Sequence, residues 1–255
     1  MSCIGTPAIL VQLHRSQALR LQVINIVRIL ALETAKQPGS IALLEGARPV
    51  AQCELAKDGR TTRTLIPAIH SQLAGLGWNV NDLELVAVSQ GPGSFTGLRV
   101  GITVAKTLAY AIGANVMGID TLAVIARQSN CSVTESKTLW TVMDAQRQQL
   151  FCARYERDVA GDWQLAEPSH VIGIEAWLEQ IQAGHVVSGP LVDKVRSRIH
   201  PQAIVEDAAN FAPRATTVGE LAAEAFQQGR RDDLWGLIPN YLRLSAAEEK
   251  RAAQS

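Results

Sequence analysis

The chain has 255 residues, 47% of them hydrophobic, enough to build one large core or two small ones. Lys plus Arg and Asp plus Glu each number 24, so the formal charge is zero; a dedicated nucleic-acid binder, with its basic excess, is disfavoured, though a local basic face can sit inside a neutral total. The four cysteines, Cys3, Cys53, Cys131 and Cys152, are scattered without a Cys-x-x-Cys pair, which argues against a disulfide framework or zinc site and for reduced thiols in the cytoplasm.

Residues 1–26 read as an extension, either poorly ordered or placed upstream of the true start. His14, Arg15 and Arg20 interrupt its apolar residues, so no run is long enough for a membrane span. No short apolar core is followed by small cleavage-site residues, as a secretory signal requires. An amphipathic helix over Val11 to Ile26 is the less favoured reading.

After that point the elements follow in a clear order. Val27 to Leu32, Ser40 to Leu44 and Ala47 to Leu55 predict a meander of three strands, the first two separated by Gln37-Pro38-Gly39. Thr62 to Leu76 carries Leu65, Ile66, Ile69, Leu73 and Leu76, a helical apolar stripe. Leu85 to Val88 predicts a short buried strand, and Leu98 to Ile112 a helix apolar almost all round. The pattern restarts near Thr121. Thr138 to Met143, Gln149 to Tyr155 and His185 to Ser188 are strand-like, while Glu175 to Gln182 and Thr217 to Gln228 are helical. The reading is two α/β halves, 27–120 and 121–245, with the last helix able to pack back on the first half, and a polar tail over 246–255.

Between the fourth strand and the second helix lies Gly91-Pro92-Gly93-Ser94-Phe95-Thr96-Gly97, with three glycines in seven positions. Such a backbone follows paths closed to most side chains. Ser94 and Thr96 both suit the cap of the helix that follows. A strand, a glycine loop and a helix start together let an anion or another backbone approach closely. Two nucleotide motifs fail: Gly97 is followed by Leu98-Arg99 where a P-loop needs Lys-Ser/Thr, and Thr96 stands where G-x-G-x-x-G needs its third glycine.

The wider run from Gly91 to Gly101, continuing through Ala105-Lys106-Thr107-Leu108-Ala109 and returning at Gly118-Ile119-Asp120-Thr121-Leu122, resembles the bacterial TsaB family. The likeness extends from about Arg28 to Pro239-Asn240-Tyr241-Leu242-Arg243 and is strongest between Val86 and Leu122. The resemblance implies a duplicated actin-like α/β fold of the sugar-kinase and Hsp70 type. It also implies a noncatalytic subunit that supports the paralogue TsaD in making threonylcarbamoyladenosine beside the tRNA anticodon. TsaD would be the direct partner, TsaE and tRNA would be met through the complex, and the chain alone would form a homodimer.

That architecture normally holds ATP between its halves, so the acids at the strand ends matter. Glu33 ends the first strand where the family commonly has Asp, and Asp144 ends the strand of the second half. Either could hold Mg-ATP in a kinase or nucleotide hydrolase, the competing function. Against this, Gln146 and Arg147 follow Asp144 where phosphates would need glycines, and structural roles are favoured for both acids. The catalytic paralogue carries His-x-x-x-His on a helix, yet here His70 has Ile66 and Ala74 four positions away. Ser94 lies outside a Gly-x-Ser-x-Gly elbow. No catalytic residue, metal site or cofactor is therefore expected, with a nucleotide at the subunit junction left open. By the resemblance, the first two helices form the partner surface, through Leu65, Ile69, Leu73, Gly97, Val100, Gly101, Val104 and Leu108. Gly97 and Gly101, one turn apart, would leave a groove for a neighbouring helix.

Overall fold

The computed structural model describes residues 26–56, 61–131 and 136–243. All but the last residue of the expected N-terminal extension, and the whole polar tail, lie outside them.

Strands β1 (Arg28–Glu33), β2 (Ser40–Glu45) and β3 (Arg48–Glu54) form an antiparallel meander. Helix α1 (Thr61–Gly75), strand β4 (Leu85–Gly91), helix α2 (Phe95–Ile112) and strand β5 (Asn115–Asp120) follow. β4 runs parallel to β1 and β5 parallel to β4, giving the order β3-β2-β1-β4-β5. After α3 (Thr121–Arg127), the second half repeats this plan. β6 (Thr138–Gln146), β7 (Gln149–Arg157) and β8 (Trp163–Gly173) are antiparallel neighbours. Past α4 (Ile174–Leu178), β9 (Val186–Ser188) pairs parallel to β6; past α5 (Val192–Val195), β10 (Ile204–Val205) pairs parallel to β9. The order β8-β7-β6-β9-β10 matches the first sheet strand for strand and sense for sense. The duplication left unproved by the residues is thus visible in the topology, and the fold is actin-like.

β1 and β4 are apolar without alternation because both faces of their sheet are covered. Leu30, Leu32, Val86 and Val88 meet α1 and α2 on one side. Ile29, Ala31, Leu85 and Ala87 meet helix α6 (Ala215–Gln227) on the other. Helix α6 follows the second sheet in the chain yet covers the first, through Ala215, Val218, Ala222 and Ala223. At Gly219 it comes so close that an added Cβ would collide with the Leu44 side chain. The segment after α6 also returns to the first half, where Asn240 N–H donates to Gln90 O at 2.8 Å. Among the described residues no helix is long and apolar enough to cross a membrane.

Two expectations about the helices are corrected. α2 is not apolar all round: Leu98, Gly101, Ile102, Ala105 and Ala109 are buried, while Arg99, Thr103, Thr107 and Tyr110 are exposed. The expected partner surface is also mostly interior. Leu65, Ile69 and Leu73 turn their stripe into the core. Gly97 and Gly101 do face one side of α2, but Thr34, just past β1, fills the groove between them. Val100, Val104 and Leu108 are half-buried against the same core.

Candidate functional site

The glycine loop admits backbone. A Cβ at Gly93 would lie 2.6 Å from Ala35 O, and one at Gly91 would lie 2.9 Å from Asn240 O. One at Gly97 would collide with Thr34 O. The loop is therefore clamped between the β1–β2 hairpin and the segment around Asn240, and Ser94 N–H donates to Ala35 O at 2.7 Å. Of the two possible approaches, anion or chain, these three glycines serve the chain. Ser94 caps α2 by accepting the Gly97 N–H at 3.2 Å, which gives its hydroxyl a structural task.

Glu33 sits at the end of β1 with 2% of its surface exposed. Its carboxylate accepts the Ala35 N–H at 2.6 Å and the Lys36 N–H at 3.2 Å, and the Ser89 hydroxyl from β4. The acid thus closes its own hairpin and uses the N–H groups that a phosphate would need there. Burial pushes its pKa up to about 7, against the pull of those hydrogen bonds.

Asp144 lies on the wall of a cleft of about 1230 Å³ between the halves. Lys194 of α5 donates to it at 2.6 Å and the Gln146 N–H at 2.7 Å. Partial burial would raise this carboxyl, but the Lys194 and Gln146 hydrogen bonds outweigh it and hold the group below its ordinary range. Gln146, Arg147 and Gln148 of the β6–β7 turn all have positive φ, at 66°, 52° and 59°. The opposite wall carries Lys36 of the first hairpin and the first turn of α2. Phe95 and Tyr241 stack at 4.7 Å between ring centres, and Arg99 donates to the Tyr241 hydroxyl at 2.9 Å. Glu33 and Asp144, which a Mg-ATP site would bring together, are separated: Asp144 lines the cleft, while Glu33 is buried under the hairpin.

Lys36, Lys194 and Arg243 had no local signal, because the cleft draws them from distant parts of the chain. A Cys152–His170 pair across β7 and β8, with Sγ to Nε2 at 3.3 Å, was also missed. Burial and the Glu167 charge push that thiol up to about 12, so it is no nucleophile at neutral pH. His70 is exposed on α1. Among the described residues no group of three His, Cys, Asp or Glu side chains is placed to hold a metal.

A second concavity, of about 650 Å³, runs along the outer face of α2. Its far wall is the segment from Leu234 to Tyr241, tied down by Lys106 Nζ, which donates to Trp235 O at 3.1 Å and Leu237 O at 3.0 Å. Tyr110, Trp235 and Ile238 stand 68%, 70% and 64% exposed around it.

Residues 58–251 match the family model described as TsaD, tRNA N6-adenosine threonylcarbamoyltransferase. The tRNA threonylcarbamoyladenosine biosynthesis protein TsaB of Bacillus subtilis is 29% identical over 236 residues, covering 87% of this chain and 96% of that protein. The Escherichia coli protein of the same name is 28% identical over 228 residues, covering 88% and 98%. The chain belongs to the TsaB branch of the TsaD family. YeaZ from Pseudomonas aeruginosa has the same fold, with a TM-score of 0.72 at 23% identity, over 85% of this chain and all of that one. In this TsaB-family chain the residues that carried the resemblance, Gly91 to Gly101, are those that admit the hairpin and the returning C-terminal segment.

Proposed function

We propose that the chain is a noncatalytic subunit of the machinery that makes threonylcarbamoyladenosine in tRNA, supporting the TsaD transferase. Membership of the TsaB branch supports the pathway. One observation carries the noncatalytic reading: both acids available to a Mg-ATP site are committed to structure. Glu33 is buried, with one oxygen on the N–H groups of its own hairpin and the other on the Ser89 hydroxyl of β4, while Asp144 is paired with Lys194. The kinase or hydrolase reading is not favoured for the same reason.

The partner would be TsaD, with TsaE and tRNA met through the complex and a second copy of the chain when TsaD is absent, all in the cytoplasm. Of the interface residues expected, Val100, Val104 and Leu108 remain available, half-buried and one turn apart along α2. Exposed Ile66 on the neighbouring α1 adds apolar surface. The test is threonylcarbamoyl transfer to tRNA by the chain alone, by its TsaD alone and by the two together. Activity only in the mixture, or raised there, is expected. Turnover by the repurified chain alone overturns the reading.

A further inference from the structure

The concavity of about 650 Å³ along α2 lies outside the cleft between the halves. Arg99, Thr103, Lys106 and Tyr110 are spaced i, i+4, i+7 and i+11, so one stripe of the helix faces it. Buried Ile102 and Leu237 line it, and Tyr110, Trp235 and Ile238 form an exposed apolar rim. An exposed apolar patch with a polar surround marks an interaction surface. Val100, Val104 and Leu108 do not line this groove, so it is separate from the surface assigned above to TsaD.

The groove is also of one sign. Arg99 and Lys106 line it two helical turns apart, about 10 Å along the axis, and among the described residues no carboxylate does. Their hydrogen bonds go to neutral acceptors, the Tyr241 hydroxyl and the Trp235 and Leu237 carbonyls, so neither charge is compensated. The acids that precede the wall in sequence are engaged elsewhere, Asp232 with Arg230 and Asp233 with the Gly236 N–H at 2.5 Å. The bonds from Arg99 and Lys106 also fix the wall against α2. The groove is therefore formed in advance, and little has to be ordered on binding.

We propose that this groove takes an acidic amphipathic helix of a protein partner. Aliphatic side chains of that helix lie against Tyr110, Trp235 and Ile238, and carboxylates two turns apart face Arg99 and Lys106. Charge decides against the other occupants. A second copy would set two positive grooves face to face. Residues 1–25 carry Arg15 and Arg20 and no acid, and residues 244–255 balance Glu248 and Glu249 with Lys250 and Arg251. A bilayer surface is flat and does not fill a concavity. The proposal does not rest on the role in supporting TsaD.

The test is fluorescence anisotropy of a labelled synthetic helix titrated with the full chain. The helix carries Leu at i, i+3, i+4 and i+7 with Glu beside them, and its twin has Lys for every Glu. Saturable binding of the Glu peptide, weakened by salt, is expected, with the Lys twin weaker by roughly tenfold or more. Trp235→Ala removes an exposed anchor and lowers affinity roughly tenfold. Tyr110→Glu sets an acid in the groove and lowers it similarly. Both side chains are exposed, so the circular dichroism spectrum stays unchanged. The proposal is overturned if the Glu peptide fails to saturate at millimolar chain, if the Lys twin binds as well, or if neither substitution moves the affinity. Binding to phosphatidylglycerol vesicles without binding to the peptide would assign the groove to lipid and overturn it. So would a dimer in sedimentation that Tyr110→Glu dissociates, which would assign the groove to a second copy.

Discussion

At the end of β1 the buried Glu33 carboxyl, with a pKa of about 7, holds a proton that the unfolded chain gives up near the ordinary glutamate value of 4.5. The folded state therefore binds more protons between those values. The stability tied to that proton is fully present below about pH 4.5 and is lost as pH rises through about 7, the reverse of an ion-paired carboxylate. The size is roughly 3 kcal/mol. Glu33→Gln copies the protonated acid, since its amide oxygen can accept the Ala35 and Lys36 N–H groups. Urea unfolding from about pH 5 to about pH 8 should show the native chain weakening relative to the variant; parallel profiles would refute the assignment. Gly101 gives a second test at this scale. An added Cβ would collide with the Thr34 hydroxyl, itself buried without a hydrogen-bond partner. Gly101→Ala should cost about 1–3 kcal/mol, and Thr34→Ala in the same chain should recover part of it. An additive double mutant would show that the two residues do not press on each other.

Among the elements, α2 carries Val100, Val104 and Leu108, the expected interface residues that stay half-buried. Val104→Glu puts a charge where the helix is half-buried, and the expected result is lost TsaD binding with the helical circular dichroism signal kept. A folded variant that still binds TsaD would move the interface to the groove edged by Tyr110 and Trp235. Lys106→Met should loosen the segment it ties down, speeding hydrogen exchange over 235–241 with little change in melting temperature. Unchanged exchange would show that the Phe95–Tyr241 stack alone suffices. Elements with strong apolar patterns, β1 to β4, α1, α2, β6 and β7, were legible in the sequence to within a few residues. β8 was not: it is a sheet-edge strand, half-exposed and interrupted by Pro168, so it lacks the buried run that marks a strand. β5 was hidden by Asn115 and Gly118, and was visible only as part of a family motif. Which face of α2 is covered was also illegible, because a small residue at Gly97 or Gly101 looks the same beside Thr34 as beside a foreign helix.

Across the whole molecule, two sheets of one topology share a chain that crosses back. The acid and the glycine loop were both visible in the sequence, but their use was not, since Glu33 meets Ser89 and Gly91 meets Asn240 only after folding. The same crossing predicts that a fragment spanning 26–120 will not behave as a domain. Without α6 it exposes Ile29, Ala31, Leu44, Leu85 and Met117, one entire face of its sheet. Expression of that fragment should give aggregate, and a soluble, cooperatively melting fragment would show that α6 is dispensable. The position of α6 also sets a timetable. A ribosome making this chain finishes β5 some hundred residues before α6, roughly 5–20 s at ordinary elongation rates. Through that interval the nascent first sheet has one oily side uncovered, so the newborn chain has a built-in window for chaperone capture that closes only when α6 emerges.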